Sequence, residues 1–346
     1  MTRIDCLSPL VGSLNTPMPV SPQSPVKSGA RWAYLASVLR LARQGYYWSP
    51  VRFPRLAWTI ASNCRTHLRV HQVLSLPAYR RLIEVNPRFP LKFWALDYLA
   101  RGLTVAQQAD CFIHHYRRLP ELLPENMLIQ VLFADILLDE MGTNEDRISV
   151  RLGLSRPEDR EGELSLNFEV NGELVTILSF TIVPGCIVQS EAREVVLVSR
   201  VQGVRGAFEK IQRATRAMAD IVPARILFAA LVGFAEAFGI KAVAGINATM
   251  RPEFYYPGEA GHIQQAYDEF FAELGATRGP AGFYLGPLPL PEKPMTAIKL
   301  GHKIRTKRKR LFRLEISQRT CQFFVRSANV GKITAKEAIE PQRISQ

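Results

Sequence analysis

Three observations predict an α+β protein with a helical front part. Between Leu56 and Met141 apolar residues recur at helical spacing. From Arg147 the period changes to two and holds over four strand-length runs. After Val201 helical and strand patterns alternate, which adds covering helices and further strands to one sheet.

With 346 residues and 47% apolar content, the chain can bury a large core. Four regions are expected. Residues 1–30 are a Ser- and Pro-rich disordered lead, 31–145 a basic helical domain, 146–286 an α+β domain with a mixed, largely antiparallel sheet, and 287–346 a Pro-rich spacer with a basic C-terminal tail.

Arg31 to Trp48 carries the first helical stripe, Leu35, Val38, Leu39, Ala42 and Tyr46, with Arg31, Arg40 and Arg43 elsewhere. Such a basic amphipathic helix either lies among lipid headgroups or packs on its own domain, and the pattern leaves both open. Helical spacing resumes at Leu56, broken at Pro77, Pro87, Pro90, Pro120 and Pro124. Thr104 and Gln107 form a capping-box pattern. Behind it Val105, Ala109, Phe112, Ile113 and Tyr116 make the buried stripe, with His114, His115, Arg117 and Arg118 at or near the opposite side. A last helix is expected over Glu125 to Met141, ended by Gly142.

Arg147 to Leu154 and Glu163 to Val170 alternate polar with apolar residues. Asn171-Gly172 is a strong hairpin signal, because two residues with positive φ match the twist of the flanking strands. Glu173 to Val183 returns as a longer strand, and Glu194 to Val201 supplies a fourth. Ala207, Ile211, Ala214, Met218 and Ile221 then recur at helical spacing. Pro223 opens a second helix, apolar nearly all round and so expected to be buried, which Gly239 stops. A strand over Ile240 to Ile246, a helix with Ile263, Ala266, Tyr267, Phe270, Phe271 and Leu274 in register, and a strand around Gly282 to Leu285 complete the domain. Pro287 to Pro294 reads as a stiff extended spacer. Beyond it stand Lys303, Arg305, Lys307, Arg308, Lys309, Arg310 and Arg313, followed by a short apolar stretch from Cys321 to Val325.

The net charge of +13 is unevenly distributed. Lys and Arg number 16 against 4 acidic residues in 1–118, 15 against 24 in 119–297, and 13 against 3 in 298–346. An acidic centre between basic flanks favours contact with a polyanion or membrane surface through the flanks. Five scattered cysteines without a C-x-x-C pair fit a reducing compartment. The lead lacks the apolar stretch of a signal peptide, and Ile226 to Ile240, the most apolar run, is too short to span a bilayer and contains Glu236. A cytoplasmic protein, soluble or peripheral to a membrane, is expected.

The candidate ligand site is the bend Gln202-Gly-Val-Arg-Gly206 between a strand and a helix. Unpaired backbone N–H groups at such a junction suit an anion. Cys64, His67 and His71 share a helical face, where they either take a metal or serve a structural or surface role. No fourth ligand or H-E-x-x-H motif accompanies them, and the structural or surface role is the expectation. Neither a serine nucleophile elbow nor a Walker or dinucleotide loop occurs. The Lys303 to Arg313 run has one aromatic, Phe312, and no recognition motif, so nucleic acid is not the expected partner; anionic lipid and plain solvation remain.

Arg200, Gly203 and Gly206 resemble the acyl-coenzyme A loop of the GNAT acetyltransferases, with Arg205 shifting the spacing by one residue. The downstream order is similar too: Phe234-Ala-Glu-Ala-Phe-Gly239, a strand ending at Asn247, then Tyr267-Asp-Glu-Phe-Phe-Ala-Glu-Leu-Gly275. This likeness implies a GNAT-like sheet flanked by helices and an acyl-coenzyme A donor. Backbone groups of Gln202 to Gly206 and the side chain of Arg200 or Arg205 would hold phosphate, Asn247 would orient the donor, and Tyr267 would protonate the leaving thiolate.

From about Leu76 to Ile316 the chain also resembles the VirK/YbjX family of Gram-negative bacteria. The likeness rests on Asn86-Pro87, His115-Tyr116, Gly162-Glu-Leu-Ser-Leu, Leu178-Ser-Phe180, Val201-Gln-Gly203, Arg213-Ala-Thr-Arg216, the Tyr267 to Gly275 segment and the basic run. Thr215 and Arg216 of that motif join the expected ligand set. Ala219-Asp-Ile-Val-Pro223 stands where members carry His-Gly-x-Arg-Pro, and Asn247 to Met250 where they carry a His. The family implies a role in envelope integrity, virulence and tolerance of antimicrobial peptides, acting near the inner membrane. Two activities are compatible with it: acyl or aminoacyl transfer, or non-catalytic docking of an envelope protein or anionic lipid headgroup on the same bend.

Overall fold

A computed structural model describes Trp58 and residues 62–86, 89–94, 97–142, 146–156, 159–251 and 260–337. The lead and the helix expected over Arg31 to Trp48 lie outside these residues. The sheet with its helices belongs to one compact unit, Arg65–Gln346.

Among the described residues, four α-helices precede the sheet: α1 Cys64–Val73, α2 Pro77–Val85, α3 Val105–Leu122 and α4 Glu125–Phe133. The Thr104 hydroxyl accepts the N–H of Gln107 and the Gln107 side chain accepts that of Thr104, so the capping box forms. Strands β1 Ile136–Gly142, β2 Arg147–Leu154, β3 Leu164–Val170, β4 Glu173–Pro184 and β5 Glu194–Gly203 then run antiparallel in chain order. Helices α5 Phe208–Ala217 and α6 Pro223–Ala237 carry the chain to β6 Ala242–Gly245, which lies parallel to β5. Helix α7 Ala260–Leu274 precedes the short β7 Thr277–Arg278 and β8 Tyr284–Pro287, and α8 Lys303–Glu337 follows. The sheet order is β1-β2-β3-β4-β5-β6-β8-β7, a mixed α+β architecture.

Alternation along the strands sorts the two faces. Val150, Leu152, Leu166, Phe168, Leu178, Phe180, Ile182 and Val196 meet in register on one face and are buried. Helices α6 and α8 close over it: Phe180 meets Phe234 edge to face at 5.3 Å, and Phe234 meets Phe324 at the same separation. The other face carries Ser149, Ser165, Ser179 and Thr181. There the hydroxyls of Ser155, Ser165 and Ser179 satisfy one another at 2.7 and 3.1 Å.

A buried ion pair ties the front segments to the sheet. Glu163, fully buried just before β3, faces Lys92 Nζ at 3.3 Å and accepts hydrogen bonds from the hydroxyls of Tyr98, at 2.6 Å, and Tyr116. Lys92 also donates to the Gly162 carbonyl at 2.7 Å, and the Glu163 N–H donates to Thr181 Oγ1 at 3.1 Å. Each charge therefore has partners that offset the loss of water.

Three expectations are corrected. The helix expected over Glu125 to Met141 stops at Phe133; Asp135 takes a left-handed φ of 52°, and the chain turns into β1. Ile136 and Leu138 are buried and Leu137 is not, a period of two set by pairing with β2, which overrides local helix preference. On α3, Val105 is exposed whereas His115 is fully buried. Strand β4 outruns β3 beyond Phe180, and His115 Nδ1 accepts the N–H of Ile182 at 3.2 Å. Finally, the basic run opens a 35-residue helix, and Cys321 to Val325, expected as a separate short apolar stretch, lies within that helix.

Candidate functional site

The site grows from a break in strand pairing. Strands β5 and β6 pair only from Val196 with Val243 to Val198 with Gly245, followed by a bond from the Ile246 N–H to the Val198 carbonyl at 3.2 Å. Beyond that point β5 continues to Gly203 against β4, while β6 turns away. In β5 the register passes from Val198 opposite Phe180 to Arg200 opposite Ser179, so Ser199 is an extra, bulged residue. A fork thus opens at the carboxyl ends of two parallel strands, where ligands of open α/β sheets commonly bind.

Helix α7 sends Tyr267 into the fork, and its hydroxyl accepts the N–H of Val201 at 2.9 Å. The Arg251 guanidinium lies 4.5 Å from the centre of the Tyr267 ring. Arg200 reaches Asp159 Oδ2 at 3.0 Å and Glu161 Oε2 at 3.4 Å, and its Nε donates to Gln202 Oε1 at 3.2 Å. Glu161 is buried, and its Oε1 has no hydrogen-bond partner among the described residues. Burial pushes the Glu161 carboxyl above the usual range, and the pull of Arg200 and Arg251 only partly offsets it. Burial, then the charge of Glu161, raises the Tyr267 phenol, so it stays protonated at neutral pH.

Asn247 sits beside the fork but is turned to structural work. Its Oδ1 accepts the N–H groups of Thr249 and Met250 at 2.7 and 3.1 Å, and its Nδ2 donates to the Gly282 carbonyl at 2.8 Å. In the bend, Gln202 and Gly203 are the last residues of β5, paired with Ile177 and Thr176. The Val204 N–H donates to the Val175 carbonyl at 2.8 Å. Gly203, Arg205 and Gly206 are exposed, and Gly206 has the positive φ, 82°, that its turn requires. Thr215 donates to the Ile211 carbonyl of its own helix, and Arg216 lies exposed in the last turn of α5, about 12 Å along that helix from its start. The structure brings Arg200 and Tyr267 together and keeps Asn247 alongside, while Thr215 and Arg216 stand on α5.

Asp159, Glu161 and Arg251 are members that sequence reasoning missed. Glu161 immediately precedes the Gly162-Glu-Leu-Ser-Leu motif, a local signal that could have flagged it; Arg251 and Asp159 have none. The rings of His67 and His71 lie 4.7 Å apart, and among the described residues no three His, Cys, Asp or Glu side chains gather as metal ligands.

The chain belongs to the family described as a protein of unknown function, DUF535, which matches residues 47–322. It is similar to the uncharacterized protein YbjX of Escherichia coli strain K12, with 22% identity over 265 residues that cover 74% of this chain and 78% of that relative. This kinship agrees with the VirK/YbjX resemblance of its motifs. No solved structure matches the chain. Among the described residues no helix is long and apolar enough to cross a membrane.

Proposed function

We propose that this protein transfers an acyl or aminoacyl group in the upkeep of the bacterial envelope, from the cytoplasmic side of the inner membrane, with the fork between β5 and β6 admitting the donor. The observation that carries this reading is the end of β5–β6 pairing at Val198 and Gly245, with Tyr267 and Glu161 at the opening. The single parallel pair within an otherwise antiparallel sheet supports the GNAT-like reading of the fold.

The residues fit a coenzyme A thioester in a particular way. Because the Val204 N–H is committed to Val175, phosphate would rest on the exposed Arg205 and the remaining turn of the bend, without a full ring of amides. A thioester supplies an activated carbonyl and a thiolate leaving group. With such a donor bound, Glu161 Oε1 would take the proton of an acceptor amine that attacks the carbonyl, the Tyr267 hydroxyl would give its proton to the sulfur as the carbon–sulfur bond breaks, and a proton passing from Glu161 to the phenolate would restore both groups. Arg200 holds Glu161 in place, and the nearby charge of Arg251 favours its carboxylate form.

The competing reading is non-catalytic docking of an envelope protein or lipid headgroup on the same bend. One observation favours it: Asn247 uses both ends of its amide inside the protein. Melting the full chain with coenzyme A, and following acyl exchange, separates the two. Donor binding in the wild type, lost in Gly203→Arg, supports transfer; no binding in either protein overturns it.

A further inference from the structure

We infer that the first turns of α8 form a docking face for an anionic lipid surface. This inference is independent of the donor site. Leu300, just before α8, and Ile304, Leu311 and Leu314 on it are 83%, 86%, 56% and 53% exposed. At 100° per residue Ile304, Leu311 and Leu314 share one stripe, roughly opposite the buried Ile316, Thr320 and Phe324 that face the core. The stripe therefore points away from α6 and the sheet.

Its charge says what can cover it. Residues 303–313 contain seven basic side chains and no acidic one. Arg305 reaches Asp220, and Arg310 and Arg313 reach Glu292, from the flanks of the helix. Lys307 and Arg308 are exposed beside the aliphatic stripe and have no acidic partner among the described residues. An aliphatic band edged with cations is the pattern of a helix lying in a headgroup layer, where the aliphatics enter the acyl boundary and the cations meet lipid phosphates. A second copy would oppose like charges. Single-stranded nucleic acid would need stacking surfaces, and the run's one aromatic, Phe312, is part-buried against the core.

Co-sedimentation of the full chain tests this with vesicles of phosphatidylcholine alone and of phosphatidylcholine mixed equally with phosphatidylglycerol. Binding to the mixed vesicles only, weakened by salt, is expected. Lys307→Gln/Arg308→Gln lowers that partition by about tenfold or more, and Ile304→Ser/Leu311→Ser lowers it comparably, with melting temperatures unchanged because all four side chains are exposed. Equal binding to both vesicle types, or variants that bind like the wild type, overturns the inference. So does a dimer in light scattering that only the serine variant disrupts, or binding to RNA with none to vesicles.

Discussion

The phenol oxygen of Tyr267 takes the N–H of Val201, 66 residues earlier in the chain, at 2.9 Å. A side chain from α7 thus replaces the strand partner that β5 loses where β6 turns away.

Tyr267→Phe removes that acceptor and leaves a part-buried N–H without a bond. A loss of about 1–3 kcal/mol in urea denaturation is expected. If the fork transfers acyl groups, turnover also falls by about 10²–10⁴, with donor binding retained. Unchanged stability would show that water satisfies Val201 in place of the phenol.

Lys92 and Glu163 form a buried pair whose partners are all internal. Lys92→Met strands the carboxylate and should cost about 3–5 kcal/mol. Lys303→Met on α8 should stay within about 0.5 kcal/mol and serves as the control.

Buried imidazoles set an acid limit on stability. Burial lowers His67 and His115 to about 3, with smaller contributions from His71 on the first and from His114 and Lys92 on the second. Their neutral forms are the folded ones, so this stability is complete above the ordinary value of 6.5. It drains away as pH falls from there toward 3, by about 1.4 kcal/mol per unit and imidazole. Denaturation at pH 7, 5.5 and 4.5 measures the slope, and His67→Phe should flatten it. An identical slope in the variant would remove His67 from the account.

Gly233 lets α6 approach α8. A Cβ there would stand 2.2 Å from the Ser317 carbonyl oxygen, a backbone atom that cannot step aside alone. Gly233→Ala should cost about 1–3 kcal/mol in spite of alanine's better helix propensity. A stabilised variant in thermal melting would show that the two helices slide without loss.

What could be read from the sequence was local. The Asn171-Gly172 turn, with φ of 53° and 78°, joins Val170 to Glu173 where the alternating runs place it. The capping box at Thr104 and the buried α6 followed from spacing alone. Strand β1 was not legible, because Ile136-Leu-Leu continues the apolar run of α4 and only pairing with β2 makes it a strand. The same holds at the fork. Arg200 and Tyr267 were visible through motif likeness, but Glu161 and Arg251 acquire a role only when segments distant in the chain converge, and nothing in their neighbours' periodicity encodes that meeting.

The covering of the sheet by α8 has a consequence for biosynthesis. Phe234 leaves the ribosome well before Phe324, its edge-to-face neighbour, and Asp139 precedes by 180 residues the Arg319 that grips it at 2.9 Å. Until the final helix emerges, the nascent chain holds an aromatic surface with no lid, a place for a chaperone to wait.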